Sequence, residues 1–192
     1  MPSTTRSPAF IVTKTDAIRL LASPLRQSIV DLIVGHGPLS VAELSELLGK
    51  PADRLYYHVK RMVAVGLLIE GEQEPTNGRP GTLFDVPARP VMLRYQPQSP
   101  SNRKSVQGVV DGMLRAARRD FSRGFVPGVE TEGPQRQLWA GRAEANLTPS
   151  EVAELNRLLA AAQDLMTELR GREHAPPGAQ PHQLTWVSSP RA

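Results

Sequence analysis

The chain has 192 residues, of which 40% are hydrophobic and 22% are charged, and this composition excludes a wholly disordered protein. It contains no cysteine, which excludes disulfides, thiolate nucleophiles and thiolate metal sites. The formal net charge is only +4, so an anionic partner has to be met by local clustering of basic residues. The apolar stretches are too short for a membrane span and the first residues lack an export pattern, so a cytoplasmic protein is expected.

Proline, glycine and polar residues divide the sequence into segments. The expected order is a flexible lead-in at 1–12, a first domain at 13–95, a polar linker with two prolines at 96–103, a helical region at 104–172 and a disordered, proline-rich tail at 173–192. Within the helical region, the apolar spacing predicts helices at 104–125 and 148–172, with a loop at 126–137 between them.

Two amphipathic helices open the first domain. Thr15 is predicted to cap the first helix. Ser23 and Pro24 predict the start of the second helix, because serine is a favoured N-cap. Proline is tolerated at the first helical position, because the N–H that it lacks would have no partner in the helix there. Gly35 and Gly37 are expected to end it.

Two further helices follow at once. Ser40 and Glu43 form the pattern of a capping box, and Gly49 is expected to close the third helix after about two turns. The fourth helix is predicted at residues 51–65, with proline in its first turn and Gly66 as its C-terminal cap.

A β-hairpin is predicted after the fourth helix. The strand candidates are Leu67 to Gly71 and Thr82 to Val86, and the segment between them contains the turn signal Asn77-Gly78. The fold class expected from this order is mainly α with a small β-hairpin wing, followed by C-terminal helices.

The third and fourth helices, joined by the tight turn Gly49-Lys50, have the pattern of a helix-turn-helix. Three apolar residues at helical spacing are predicted to face the core, namely Leu55, Val59 and Met62. The rest of the helix is then free to enter a DNA major groove, which is roughly 12 Å wide and admits one α-helix. Basic and tyrosine side chains bond phosphates and base edges. The predicted DNA-binding residues of this segment are Lys50, Arg54, Tyr56, Tyr57, His58, Lys60 and Arg61.

The tip of the hairpin offers one more contact. Arg79 lies among small residues and prolines, and its guanidinium is expected to reach a neighbouring minor groove, whose negative potential attracts it. Glu72 and Glu74 in the same loop oppose this contact.

Several runs of the first domain resemble the ArsR-type winged-helix transcriptional regulators. The runs are Leu21-Ala-Ser-Pro-Leu-Arg-Gln-Ser-Ile29, Ser40-Val-Ala-Glu-Leu44, Leu55-Tyr-Tyr-His-Val-Lys-Arg-Met62 and Val65-Gly-Leu-Leu68. The resemblance covers residues 13–95, under half of the chain. It implies a prokaryotic, dimeric DNA-binding regulator whose recognition helix matches 51–65 and whose wing matches 67–86.

The sequence departs from this family in its metal ligands. Many members sense metals through cysteine or through Asp, His and Glu sets, but cysteine is absent here. The four histidines make no i, i+4 pair, and they are His36, His58, His174 and His182. The last helix offers only Asp164 and Glu168, which are interpreted as exposed acids. We therefore expect no metal site and no cofactor.

The C-terminal helices are expected to form a dimerisation region together with the first helix. Thr148 and Glu151 predict a capping box, and the helix after it has apolar residues at alternating spacings of three and four. These residues are Val152, Leu155, Leu159, Ala162, Met166 and Leu169. A cavity between these helices is a further expectation for a small-molecule effector, although no residue cluster marks one.

The sequence therefore predicts a homodimeric repressor that reads a pseudo-palindromic operator in double-stranded DNA. Arg54, Tyr56 and Tyr57 are expected to read bases, while Lys50, Lys60 and Arg61 contact phosphates. No nucleophile–base set, phosphate loop or HExxH motif is present, so an enzyme is not expected. The alternatives are a winged-helix protein-interaction module without DNA binding, a small-molecule-binding protein built on the C-terminal helices, and an RNA-binding protein.

Overall fold

The computed structural model describes residues 9–76, 79–170 and 176–191, the side chains of 72–81 excepted. Their elements, in chain order, are β1 (Phe10–Val12), α1 (Thr15–Leu20), α2 (Pro24–His36), β2 (Leu39–Ser40), α3 (Val41–Leu48), α4 (Ala52–Ala64), β3 (Ile69–Thr76), β4 (Arg79–Asp85), β5 (Val91–Leu93), α5 (Pro100–Arg123) and α6 (Pro149–Arg170). Contacts divide the chain into a first unit, 1–116 with 185–192, and a second unit, 117–184.

The predicted start signals position the helices of the first unit. Ser23 precedes Pro24 at the start of α2. The capping box of α3 is complete, because the Ser40 amide donates to the Glu43 carboxylate at 2.7 Å and Glu43 N–H donates to Ser40 Oγ at 3.2 Å. The exact helix ends differ from the prediction in places. Lys14, not Thr15, occupies the N-cap of α1, and Val65, not Gly66, the C-cap of α4. Gly35 lies inside α2, whose C-cap is Gly37, and Pro51 is the N-cap of α4 rather than part of its first turn.

Two small sheets connect distant parts of the first unit. The strands β2, β4 and β3 form an antiparallel sheet in which Leu39 lies opposite Phe84. The strands β1 and β5 are parallel, and Phe10 lies opposite Val91. The first domain therefore closes on itself through pairings that span about 80 residues.

The hydrophobic core of the first unit lies between α1–α4 and the antiparallel sheet. Its fully buried side chains include one from each of these helices and one from β4: Ile18, Ile29, Leu44, Leu55 and Phe84. Val109 of α5 belongs to the same cluster, so the core extends beyond residue 95. Burial of this apolar area drives the folding of the unit.

Arg89 connects the chain after β4 to the end of α2. Its guanidinium donates to the carbonyl of Ile33 at 2.8 Å and to that of Val34 at 3.1 Å, and it also pairs with Asp85. These carbonyls belong to the last turn of α2, where backbone acceptors lack partners within the helix. Arg89 therefore orients the hairpin against α2.

The first turns of α5 also pack on the core. Asn102 is buried, and its side chain accepts from Gln96 N–H at 2.8 Å and donates to the Arg94 carbonyl at 3.0 Å. Two turns further along α5, Gln27 donates to the carbonyl of Val109 at 3.0 Å and also to that of Leu21 at 2.6 Å. These bonds fix α5 to the connection between α1 and α2.

The structure corrects several predicted bounds. The interpretation of 1–12 as a loose lead-in is wrong for 10–12, which form β1; a three-residue strand with a distant partner leaves almost no periodic signal. The linker predicted at 96–103 is helical from Pro100, where Ser99 accepts from the Asn102 N–H at 3.3 Å. The predicted strands Leu67 to Gly71 and Thr82 to Val86 become the longer β3 and β4, and Asn77-Gly78 lies outside the described residues.

The second unit contains the end of α5, the segment 124–148 and α6. Of the helix predicted at 148–172, Pro149–Arg170 form α6 and residues 171–172 lie outside the described residues; the capping box of Thr148 and Glu151 is formed. The segment 126–137 forms no helix or strand, and neither do residues 176–191.

Candidate nucleic-acid interface

A tight turn sets the direction of α4 relative to α3. Gly49 ends α3 in the left-handed region, at a φ of 58°, which L side chains other than glycine seldom adopt. Ser45 then holds the next residue, because its hydroxyl donates to the Lys50 carbonyl at 2.7 Å and its own carbonyl accepts from Lys50 N–H at 3.3 Å. Lys50 is exposed at this corner.

One face of α4 is buried and the remainder is open. Leu55, Val59 and Met62 are fully buried, as the apolar spacing predicts. Tyr56 and Tyr57, in contrast, are 52% and 58% exposed. Both aromatic rings are therefore accessible to a partner.

The side chains of α4 outside its buried stripe form two groups, which we distinguish by their contacts. The first, which we call the arginine flank, contains Arg54, Tyr57, His58 and Arg61, spaced by three or four residues. Arg61 donates to Tyr57 Oη at 3.2 Å and its guanidinium lies 5.6 Å from the Tyr57 ring centroid. Tyr57 and His58 meet edge to face at 5.7 Å. These contacts connect Arg61, Tyr57 and His58 along the flank.

His58, a predicted DNA contact, is half-buried and faces α2. Arg26 Nε donates to His58 Nδ1 at 3.3 Å, and Arg26 Nη1 donates to the Leu20 carbonyl at 3.1 Å. Burial lowers the pKa of His58, and the nearby positive charges of Arg26, Arg54 and Arg61 lower it further. Both effects favour the neutral imidazole, and with Nδ1 accepting from Arg26, its Nε2–H is the remaining donor.

Sequence reasoning missed Arg26. A basic residue in the first turn of a helix opposes the helix dipole, and this unfavourable placement is the signal that could have revealed a role for it. Burial, followed by the charge of Arg61, lowers the pKa of Arg26.

The second flank, which we call the lysine flank, contains Tyr56 and Lys60. Lys60 Nζ lies 2.7 Å from a carboxylate oxygen of Glu70 on β3, and 5.7 Å from the Tyr56 ring centroid. The hydrogen bond to Glu70 raises the pKa of Lys60. Lys60, the predicted phosphate contact, is therefore ion-paired with Glu70 at the base of the hairpin. Both side chains remain accessible to solvent.

The structure thus brings seven of the eight predicted residues to α4 or the turn before it. They are Lys50, Arg54, Tyr56, Tyr57, His58, Lys60 and Arg61. Tyr56 and Tyr57, both expected to read bases, lie on different flanks. The side chain of Arg79, with those of Glu72 and Glu74, lies outside the described residues, so the minor-groove contact stays a prediction.

Comparison with known proteins supports this reading of the geometry. Residues 21–71 match a protein family described as a helix-turn-helix domain. This chain carries a helix-turn-helix domain. With the hairpin and the later helices, its fold is a winged helix-turn-helix followed by C-terminal helices.

Two solved structures show weaker likenesses. One is the transcriptional regulator Tm0710 from Thermotoga maritima, with 16% identity, coverage of 79% of this chain and 81% of that chain, and a TM-score of 0.34. The other is RV1404 from Mycobacterium tuberculosis, with 16% identity, coverage of 78% and 83%, and a TM-score of 0.30. No curated protein matches the chain.

The part of the chain that the structure describes holds no group of three or more His, Cys, Asp or Glu side chains that could bind a metal. None of the helices in that part is long and apolar enough to cross a membrane. A shallow cleft of about 260 Å³ lies at the start of α5, lined by Tyr95, Asn102 and Val106 among others. It is smaller than typical ligand pockets, and the effector stays a prediction.

Proposed function

We propose that the protein is a DNA-binding transcriptional regulator of the ArsR type, acting as a homodimeric repressor on a pseudo-palindromic operator. The observation that carries this proposal is the division of α4, whose apolar face is wholly buried while its basic and tyrosine-bearing flanks are open. A helix with this division fits the major groove. The helix-turn-helix match over residues 21–71 supports the same function.

The two flanks are suited to different tasks. On the arginine flank, Arg54 is exposed and carries the planar donor set that recognises guanine, and Tyr57 and Arg61 support each other beside it. On the lysine flank, Lys60 can exchange Glu70 for a phosphate, because the ion pair is exposed and such pairs contribute little. Arg54 is therefore assigned to base reading, and Lys60 and Lys50 to phosphate contacts.

The proposal is tested by selecting bound duplexes from a random pool and measuring the affinity of variants over a salt series. Arg54→Ala should weaken the selected sequence by ~1–3 kcal/mol and leave random DNA unchanged, whereas Lys60→Ala should weaken both and lower the salt slope by about 1. Arg157→Ala, which removes an exposed ion-paired arginine of α6, is the matched control. Glu70→Gln, which releases Lys60, should strengthen binding to all duplexes.

Three results would decide against this function. Absence of salt-dependent affinity for any duplex would favour the protein-interaction module. Equal losses on selected and random DNA for Arg54→Ala would remove its role in base reading. Preference for structured RNA over duplex DNA in competition would point to an RNA-binding protein. A half-site spacing of about 34–36 Å in the selected duplexes is the result expected for a dimer.

A further inference from the structure

The described residues of the second unit form no buried core of their own. Among its described residues, none of the side chains between 117 and 184 is buried. Its helix α6 nevertheless carries many apolar side chains, and Leu158 and Leu165 are 52% and 54% exposed. A well-capped helix with such a face requires a partner to bury it.

The apolar face of α6 follows a regular heptad spacing. Val152, Leu155, Leu159, Ala162, Met166 and Leu169 alternate at three and four residues, and we call this set the seam. The four middle residues of the seam are half-buried, and the two at its ends are exposed. Leu158 and Leu165 extend the seam on one side, while Asn156 and Gln163 border it on the other.

Nothing else in the described part of the second unit matches the length of this seam. The other helical residues of the unit are 117–123, the end of α5, which at 1.5 Å per residue span about 10 Å. The helix α6 spans about 33 Å on the same rise. The intervening segment packs locally, with the Arg136 guanidinium 4.2 Å from the Trp139 ring centroid.

We infer that α6 pairs with α6 of a second copy of the chain in antiparallel orientation, about a two-fold axis between Ala160 and Ala161. In this register Val152 meets Leu169 of the second copy, Leu155 meets Met166, and Leu159 meets Ala162. Each pair occurs twice, as an isologous interface requires.

The side chains themselves favour the antiparallel orientation. Reversing one helix brings like flank against like flank, so Leu158 meets Leu165 and Asn156 meets Gln163. A parallel pair would place Leu158 beside Gln163 and pair Ala162 with itself, which leaves a gap in the middle of the seam. The antiparallel pair instead sets the large Leu159 against the small Ala162, and it opposes the two helix dipoles.

This inference takes from the proposed function only that the protein acts as a dimer. It adds which surface forms that dimer. A seam of three heptads is short for a coiled coil. We therefore expect a dimer whose association depends on concentration, so that effects on it are measured at defined protein concentrations.

The absence of cysteine makes a direct test available in the full chain. Leu155→Cys and Met166→Cys are prepared as separate variants and oxidised alone and as an equimolar mixture. The mixture should form a crosslink between the two variants roughly 1000-fold faster than either alone, because adjacency raises the effective thiol concentration from micromolar to millimolar. Ala153→Cys, on the opposite side of α6, is the control and should not crosslink rapidly.

The outcomes separate this inference from the DNA-binding proposal. Rapid crosslinking of each variant with itself would show a parallel pair and would overturn the inference. Sedimentation as a monomer would also overturn it, and so would a dimer that does not form the mixed crosslink. Leu159→Glu should raise the dimer dissociation constant at least tenfold and leave the helix content of the first unit unchanged. A mixed crosslink without any DNA affinity would uphold the pairing and refute the regulator, and salt-dependent DNA affinity of a monomer would do the reverse.

Discussion

Both units contain the same helix-start signal, but only the first unit buries the apolar faces of its helices. Each contains a helix that begins with a capping box: in α3 the Ser40 amide lies 2.7 Å from Glu43, and in α6 the Thr148 amide lies 2.7 Å from Glu151. The first unit then buries its apolar helix faces against a sheet and α5. In the second unit Trp139 is 72% exposed and no described side chain is buried. Helix signals alone do not create a core, since a core needs distant segments to meet.

The largest expected effect contrasts one leucine from each unit. Leu55→Ala removes a fully buried side chain from α4 and should lower the free energy of unfolding of the first unit by about 2–5 kcal/mol. Leu159→Ala, on the seam of α6, should leave that free energy unchanged. Urea unfolding followed by circular dichroism at high dilution measures both. A loss above about 1 kcal/mol for Leu159→Ala would mean that α6 stabilises the first unit in the single chain.

A smaller difference in stability is expected between Gly→Ala substitutions at tightly packed and at loosely packed glycines. A Cβ at Gly112 would lie 2.7 Å from the Ala22 carbonyl oxygen and 2.8 Å from Gln27 Nε2, so Gly112→Ala should destabilise the first unit by about 1–3 kcal/mol. Gly108→Ala is the matched control on the same helix, because its Cβ would meet only Ala22 Cβ at 3.3 Å.

In the second unit, a Cβ at Gly141 would make only an ordinary contact at 3.5 Å with Trp139. Gly141→Ala should therefore have no measurable effect on thermal unfolding. Equal destabilisation by Gly112→Ala and Gly108→Ala would show that α5 does not pack this closely against the α1–α2 connection.

The sequence allowed prediction of features encoded within one or two helical turns. The capping boxes, the inward stripe of α4 and the exposed flanks of that helix follow from residue spacing. Contacts between distant residues could not be predicted in this way. The pairs Arg26–His58 and Lys60–Glu70 join residues 32 and 10 positions apart, and each consists of polar side chains that leave no periodic trace.

The strand β1 shows the same limit. Its partner β5 is encoded about 80 residues later, and three apolar residues in a row predict neither strand nor helix. The segment 96–103 differs from the predicted linker for another reason. Two prolines indicate a linker, yet Ser99 and Pro100 repeat the serine–proline signal that begins α2.

The capping boxes provide a more moderate contrast. Ser40→Ala should cost about 1 kcal/mol of the stability of the whole first unit, because α3 is part of its core. Thr148→Ala removes the equivalent cap of α6 and should only increase fraying of that helix. Hydrogen exchange resolves the two, since Ser40→Ala should accelerate the protected amides throughout the first unit and Thr148→Ala those of α6 alone. Acceleration in the first unit for Thr148→Ala would mean that the stability of α6 is coupled to that of the first unit.

The smallest expected effect is a difference in the response to acid. The pKa of His58 is lower in the folded protein than in the unfolded chain, so the unfolded chain binds the proton more tightly. The stability of the first unit should therefore fall as pH drops below about 6.5. The pKa of Glu151 is lowered by its hydrogen bonds to Thr148, so the stability of α6 is present above about pH 4.5 and is lost as pH falls through the lowered value. The two units should therefore weaken in separate pH ranges. His58→Gln should flatten only the upper range and Glu151→Gln only the lower one, and a single common transition in both variants would show that the units unfold together.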